Sequence, residues 1–148
     1  MDDRLSRGFS AGIIAGVAMN LIDHFLFFVI GIDHFRFIDW AGIFIFGHTP
    51  TNLPEAVFAQ VGQLFFSGLV GIFFVYLLPQ VTSRYYLVKG VIYAQFVWFG
   101  SYALSILFQV PGLRTISLES AVSDLIGSLV YGLVLAWVLR LIDKRVGV

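Results

Sequence analysis

The sequence predicts an all-α integral membrane protein: a four-helix bundle with a short interfacial or re-entrant segment between its first and second helices. Three observations predict it. Four apolar stretches of 22 to 25 residues divide the chain at about 9–30, 55–78, 86–109 and 117–141, each long enough to cross ~30 Å of hydrocarbon at 1.5 Å per residue. Only 12% of the 148 residues are charged and the mean hydropathy is +0.91, whereas about a quarter of a soluble domain is charged. No series of alternating strands of the kind a membrane barrel needs occurs. At this length the four spans and their connections fill one transmembrane domain, residues 1–148.

The first apolar stretch follows Met1-Asp2-Asp3-Arg4-Leu5-Ser6-Arg7 and has the outline of a secretory signal with a cleavage site at Gly16-Val17-Ala18. It continues past that point to Ile30, so it reads as a span. Gly8, Gly12, Gly16, Asn20 and His24 fall four residues apart on it, with Asp23 beside the last. On a helix that spacing makes one stripe, a glycine ridge that runs into an amide, an imidazole and a carboxylate. Such a stripe belongs against other helices, because glycine permits close backbone approach and an ionisable group in hydrocarbon costs several kcal/mol.

Residues 31–53 are aromatic but interrupted by Asp33, His34, Arg36, Asp39, Gly42, Gly47, His48 and Pro50. They do not span; Trp40 and Ile43-Phe44-Ile45-Phe46 predict a short segment at the membrane surface, about 35–47. Asn52-Leu53-Pro54-Glu55 is a helix start, with an Asn cap, a proline in the first turn and a Glu three residues after the cap. The second span ends at Pro79 and the third at Pro111-Gly112, and the fourth runs into Arg140, Asp143, Lys144 and Arg145. Gly71, Gly90, Gly100, Gly127 and Gly132 read as helix-packing glycines, and Tyr85, Tyr86 and Trp137 as interface anchors.

Arg4, Arg7, Arg84, Lys89, Arg140, Lys144 and Arg145 flank one side, seven residues, against Arg36 and Arg114 on the other. The positive-inside rule then puts both termini in the cytoplasm and the 31–53 connection outside. With that topology, depths can be compared. Asn20, Asp23 and His24 on the first span, Gln60 and Gln63 on the second, Ser101 and Ser105 on the third and Ser120, Ser123 and Asp124 on the fourth all fall in the outer third. Below them the spans are mainly Gly, Ala, Val, Leu and Phe, with Gln95 and Ser128 among the exceptions.

Two functions are compatible with that layer. Asn20, Asp23, His24, Gln60, Gln63 and Asp124 are candidates for a ligand or ion site open to the outside, which makes the protein a binding or transport unit for a small polar solute, cation or proton. Alternatively the same groups hydrogen-bond across helices and the protein is a structural or assembly subunit without a ligand of its own. Four spans seldom enclose a transport path, so the first reading implies a homo-oligomer or a larger membrane complex. The lipid bilayer is the partner common to both. Nine basic and nine acidic residues cancel, which leaves no charge for nucleic acid.

His24, His34 and His48 are the candidate metal ligands, but no two lie three or four apart on a helix, and the repeat of Ile22-Asp23-His24-Phe25 as Ile32-Asp33-His34-Phe35 supplies no such spacing. No cofactor is named by the sequence, and zero cysteines exclude disulfides and thiolate chemistry. There is no glycine-rich phosphate loop, no Gly-x-Ser-x-Gly and no His-Glu-x-x-His, so no catalytic residue is assigned. Gly90-Val91-Ile92-Tyr93, Trp98, Pro111-Gly112-Leu113-Arg114 and Val130-Tyr131-Gly132-Leu133-Val134 together resemble small four-span bacterial membrane proteins of the YqhR kind. That resemblance covers about a third of the chain. It implies the bacterial cytoplasmic membrane and carries over no activity and no functional residue.

Overall fold

The computed structural model describes residues 3–32, 35–80 and 85–146; Asp33, His34 and Arg84 lie outside the described residues, as do the side chains of Lys144 and Arg145. Five helices follow one another, without a strand among the described residues: α1 (Arg4–Phe25, widening into a π turn at Leu26–Ile30), α2 (Phe37–Phe46), α3 (Leu53–Leu77, ending in a 3-10 turn at Leu78–Gln80), α4 (Tyr86–Leu107) and α5 (Leu118–Val146). All but α2 are long and apolar enough to cross a membrane. The protein is an all-α four-helix membrane bundle, and α2 is the expected short segment between its first two spans.

Local chemistry explains the helix ends. Asp3 caps α1, accepting from Leu5 N and from the Ser6 hydroxyl, bonds that hold its carboxyl below the ordinary value. Asn52 caps α3 by accepting from Glu55 N at 2.9 Å, and the Glu55 carboxylate returns to Thr51 N at 2.9 Å. Ser117 caps α5, its hydroxyl accepting from Ser120 N at 3.2 Å. The last turn of α4 ends earlier than expected: Gln109, predicted within the third span, adopts φ +49° outside the helix, and Val110 N reaches back to Ser105 O at 3.0 Å. The left-handed backbone at Gln109 ends the helix, and Pro111 keeps it from resuming, because the residue before a proline is pushed out of the helical region.

Two close helix contacts set the bundle. The ridge of Gly8, Gly12 and Gly16 on α1 meets Ser67, Gly68 and Gly71 on α3, so that a Cβ at Gly12 would lie 2.9 Å from Gly68 Cα and one at Gly8 would lie 2.8 Å from Ile72 Cα. Gly90 of α4 and Gly132 of α5 repeat the arrangement, each against the other's backbone and flanked by Ala94 and Ala136. Small residues let the dispersion contacts of two backbones replace contacts with lipid, which is what drives association where no hydrophobic effect distinguishes helix from solvent. Between the pairs, α1 packs on α5 through a core that contains Ala11, Ala15, Met19, Leu135 and Leu139. Gly100 is the exception among the expected packing glycines, since nothing approaches its Cβ position within 4 Å.

The start of α1 and the end of α5 lie at one end of the bundle. There Arg7 Nη1 pairs with Asp143 Oδ1 at 2.7 Å and Tyr86 OH donates to Asp143 Oδ2 at 2.9 Å, joining α1, α4 and α5. Tyr86, expected as an anchor facing the interface, is instead half-buried in this contact, while Tyr85 and Trp137 are exposed. The inner part of the bundle is also less apolar than expected, since Tyr93 OH donates to Val70 O at 2.7 Å and Tyr131 OH to Ser67 O at 2.6 Å.

At the opposite end α2 packs among all four long helices. Phe37 covers Gly127 of α5, Trp40 lies 5.1 Å from the Tyr102 ring of α4, Ile45 meets Gly62 of α3, and the Phe37 amide reaches Asp23 of α1. Ile38, Asp39, Trp40, Gly42 and Ile43 are buried.

Replacing Gly12 by Leu should destabilise the protein by about 3 kcal/mol, because the atoms its side chain meets are backbone and cannot turn away, whereas Gly100→Ala should change stability by less than about 0.5 kcal/mol. Tryptophan fluorescence during thermal unfolding in detergent measures both; equal effects at the two positions would remove the ridge as the organising contact.

Candidate functional site

The stripe on α1 delivers Asn20 and Asp23 to the bundle interior, both buried, and His24 to a half-buried position about 100° further round. On α3 the spacing of Gln60, Gln63 and Ser67 puts all three on the face that meets α1. Asn20 Nδ2 donates to Gln63 Oε1 at 2.8 Å, and Gln60 Nε2 donates to the same oxygen at 3.2 Å. Gln63 Nε2 continues the chain to Ser67 Oγ at 3.2 Å. Three of the candidate residues, Asn20, Gln60 and Gln63, thus come together, and they bond one another.

Asp23 does something the sequence did not disclose. Its Oδ2 accepts from Phe37 N, the first amide of α2, at 3.1 Å, so the buried carboxylate sits at the N-terminus of a helix, where the exposed N–H groups and the macrodipole favour negative charge. One strand of backbone earlier, Phe35 N donates to Ser120 Oγ on α5 at 3.0 Å, and Ser117 Oγ in turn donates to Ser120 Oγ at 3.0 Å. The next turn of α2 is closed by its own box: Arg36 N and Nε both donate to Asp39 Oδ2 at 3.0 Å, with the guanidinium 4.8 Å over the Phe27 ring. Polar side chains of α1 and α5 therefore satisfy backbone donors of the segment that leads into α2.

Asp124 belongs to a separate group on the α4 side. Its Oδ2 accepts from Tyr102 OH at 2.5 Å, and the Tyr102 ring lies between those of Trp40 and Trp98, each 5.1 Å away. On α4, α5 and α2 respectively, the Ser105 and Ser123 hydroxyls and the indole N–H of Trp40 are buried without a hydrogen-bond partner among the described residues. Tyr102 and the two tryptophans were not singled out from the sequence as members of the layer. Trp98 and Tyr102 stand four apart on α4, at the depth of Ser101 and Ser105, and that spacing was the available signal; tyrosine near a span end reads first as an interface anchor.

His24 Nδ1 lies 2.8 Å from Asn20 O and its ring 5.9 Å from Phe28, while His48 Nδ1 lies 2.8 Å from Thr49 O with its ring stacked on Phe46. Among the described residues no three His, Asp or Glu side chains gather as metal ligands. Gln60 borders a cavity of about 320 Å³ between α2 and α3, but its other walls, Ile38, Leu53, Ala56, Val57 and Val61, are apolar.

Coupling between Asn20 and Gln63 should be measurable in a double-mutant cycle with leucine at each position, worth about 1 kcal/mol. A coupling of zero would mean that the amides pair with lipid-borne water rather than with each other. Tyr102→Phe should cost about 2 kcal/mol, the scale of a hydrogen bond to a carboxylate, and thermal unfolding in the same detergent reads it.

Compared with known proteins, the chain matches over residues 2–147 the model of a family described as a family of unknown function (DUF6789). No curated protein and no solved structure matches it.

Proposed function

This chain belongs to that family of unknown function, and we propose that it is a structural or assembly unit of the bacterial cytoplasmic membrane, with both termini inside, whose intramembrane polar residues seat α2 and fix helix register. The observation that supports this reading is where the acceptors point. Asp23 and Ser120 accept from the amides of Phe37 and Phe35, and Asn20, Gln60 and Gln63 bond one another. A solute path needs polar groups that face a cavity; these face backbone and each other. Seven of nine basic residues on the terminal side support the orientation. The lipid-facing surface of a small bundle leaves room for a second copy or a larger complex as the assembly it serves.

A second reading, a binding or transport unit for a small polar solute, cation or proton, is favoured by the group around Asp124. Two buried hydroxyls, of Ser105 and Ser123, and the Trp40 indole N–H have no partner among the described residues, and buried polar groups are normally hydrogen-bonded.

Asp23→Ala should destabilise the protein by about 2 kcal/mol by leaving a backbone donor buried without its acceptor, and should speed hydrogen exchange at residues 35–40. Asp23→Asn keeps an acceptor and should do much less of both. For the second reading, purified protein in liposomes under a proton or potassium gradient is compared with empty vesicles. Flux above the empty-vesicle level that Asp124→Asn abolishes would replace the assembly reading with the transport one. Because the chain has no cysteine, orientation is tested separately with Thr49→Cys and Val148→Cys: an impermeant maleimide added to intact cells should label the first and not the second.

A further inference from the structure

At the terminal end of the bundle, on the far side from the polar layer, a cavity of about 240 Å³ opens between the start of α1, the end of α3, the start of α4 and the end of α5. Its lining divides by chemistry. Arg4, Arg7, Lys89, Tyr86 and Asp143 supply its charged and polar lining, and Val75, Leu78, Pro79 and Leu139 its apolar lining. Among the described lining residues three cations stand against one carboxylate. Asp143 is held by Arg7 at 2.7 Å and by Tyr86 at 2.9 Å, which fixes this carboxylate and Arg7 with it.

The positions of the other two cations matter. Arg4 is the first residue of α1 and Lys89 lies in the first turn of α4. Both therefore stand at helix N-termini, where the macrodipole disfavours positive charge, and an anion between them offsets that repulsion. The positive-inside rule accounts for basic residues on this side; it does not require them to line a common recess with apolar residues. A charged headgroup beside hydrocarbon is the ligand that matches both kinds of lining at once, and basic recesses between transmembrane helices are where acidic lipid headgroups bind.

We propose that this recess binds a phosphate-bearing anion in the form of an acidic phospholipid headgroup, with Arg4 and Lys89 meeting the phosphate, the Arg7–Asp143–Tyr86 cluster fixing the polar lining, and Val75, Leu78 and Leu139 receiving the first carbons of the acyl chains. The assignment depends on the protein being membrane-embedded and not on either reading of the polar layer.

The test uses the full chain, delipidated in an uncharged detergent and titrated with phosphatidylglycerol or phosphatidylcholine of the same acyl chains, with bound lipid counted by native mass spectrometry. Phosphatidylglycerol should be retained in preference, and Arg4→Gln with Lys89→Gln should lower its affinity by about 5-fold for each charge removed while leaving phosphatidylcholine unchanged. Arg4→Lys with Lys89→Arg should keep the preference, which separates charge from folding; should the double glutamine variant fail to fold, Lys89→Gln alone carries the comparison. Equal retention of the two lipids, or a preference that survives loss of both charges, overturns the proposal. In a parallel arm inorganic phosphate is added alone. Stabilisation of the native chain by phosphate, absent from the glutamine variant and accompanied by no lipid preference, overturns the lipid and assigns the recess to a soluble anion.

Discussion

A carboxylate carried into the interior of a membrane bundle needs hydrogen-bond donors supplied by the protein, and the bond from Phe37 N to Asp23 is the one on which the far end of this molecule depends. The dependence runs both ways. An isolated ten-residue helix is too short to persist by propensity, and its first amides have no acceptors of their own. Asp23 gives α2 an acceptor and a favourable charge at its start, and α2 gives Asp23 a donor. Once Phe37 is held there its ring covers Gly127, Trp40 falls against Tyr102, and Tyr102 faces Asp124. Two carboxylates on different helices thus both reach this one short element, Asp23 through the Phe37 amide and Asp124 through Tyr102 and Trp40.

The long helices obey a different constraint. They are held by proximity of backbone, α1 to α3 and α4 to α5, at glycines whose Cβ positions are filled by the neighbouring helix. Tyrosine hydroxyls then tie α4 and α5 to α3 by donating to the carbonyls of Val70 and Ser67. Those carbonyls already serve helix hydrogen bonds and keep a second lone pair, so each tyrosine is satisfied without breaking α3. This is a sparing use of polarity: hydroxyl to carbonyl in the middle, amide to amide further out, and the ion pair of Arg7 with Asp143 near the terminal end.

What could be read from the sequence follows from which of these constraints are periodic. Span number and extent, the glycine ridge, and the meeting of Asn20 with Gln63 were legible because each is a matter of spacing along one helix or of depth between two. Tyr86 and Tyr102 were not legible as interior groups. A tyrosine near a span end reads the same whether its hydroxyl points to headgroups or to a carboxylate on another helix, and only the rotation of that helix decides. Gly100 fails for the same reason in reverse, carrying the residue type of a contact on a face that has none. The role of Asp23 was hidden more deeply, since its partner is a backbone amide and backbone leaves no mark in the sequence beyond the start of a helix.

That last point bears on what the polar layer is for. Where chain enters a bilayer without helical bonds, every N–H must find an acceptor in the protein. The stretch before α2 has this problem, and the acceptors it finds are one candidate-site residue, Asp23 for Phe37, one serine of the polar layer, Ser120 for Phe35, and Asp39, within α2 itself, for Arg36. Side chains from three helices act here as the water that the environment lacks. The agreement in depth between α1 and α5 then has a structural cause, because both supply acceptors to the same incoming segment. Asp124 stands outside that account. It lies on α5 one turn below Ser120, and its phenol and indole neighbours belong to α2 and α4, with buried hydroxyls on α4 and α5 that the incoming backbone does not use.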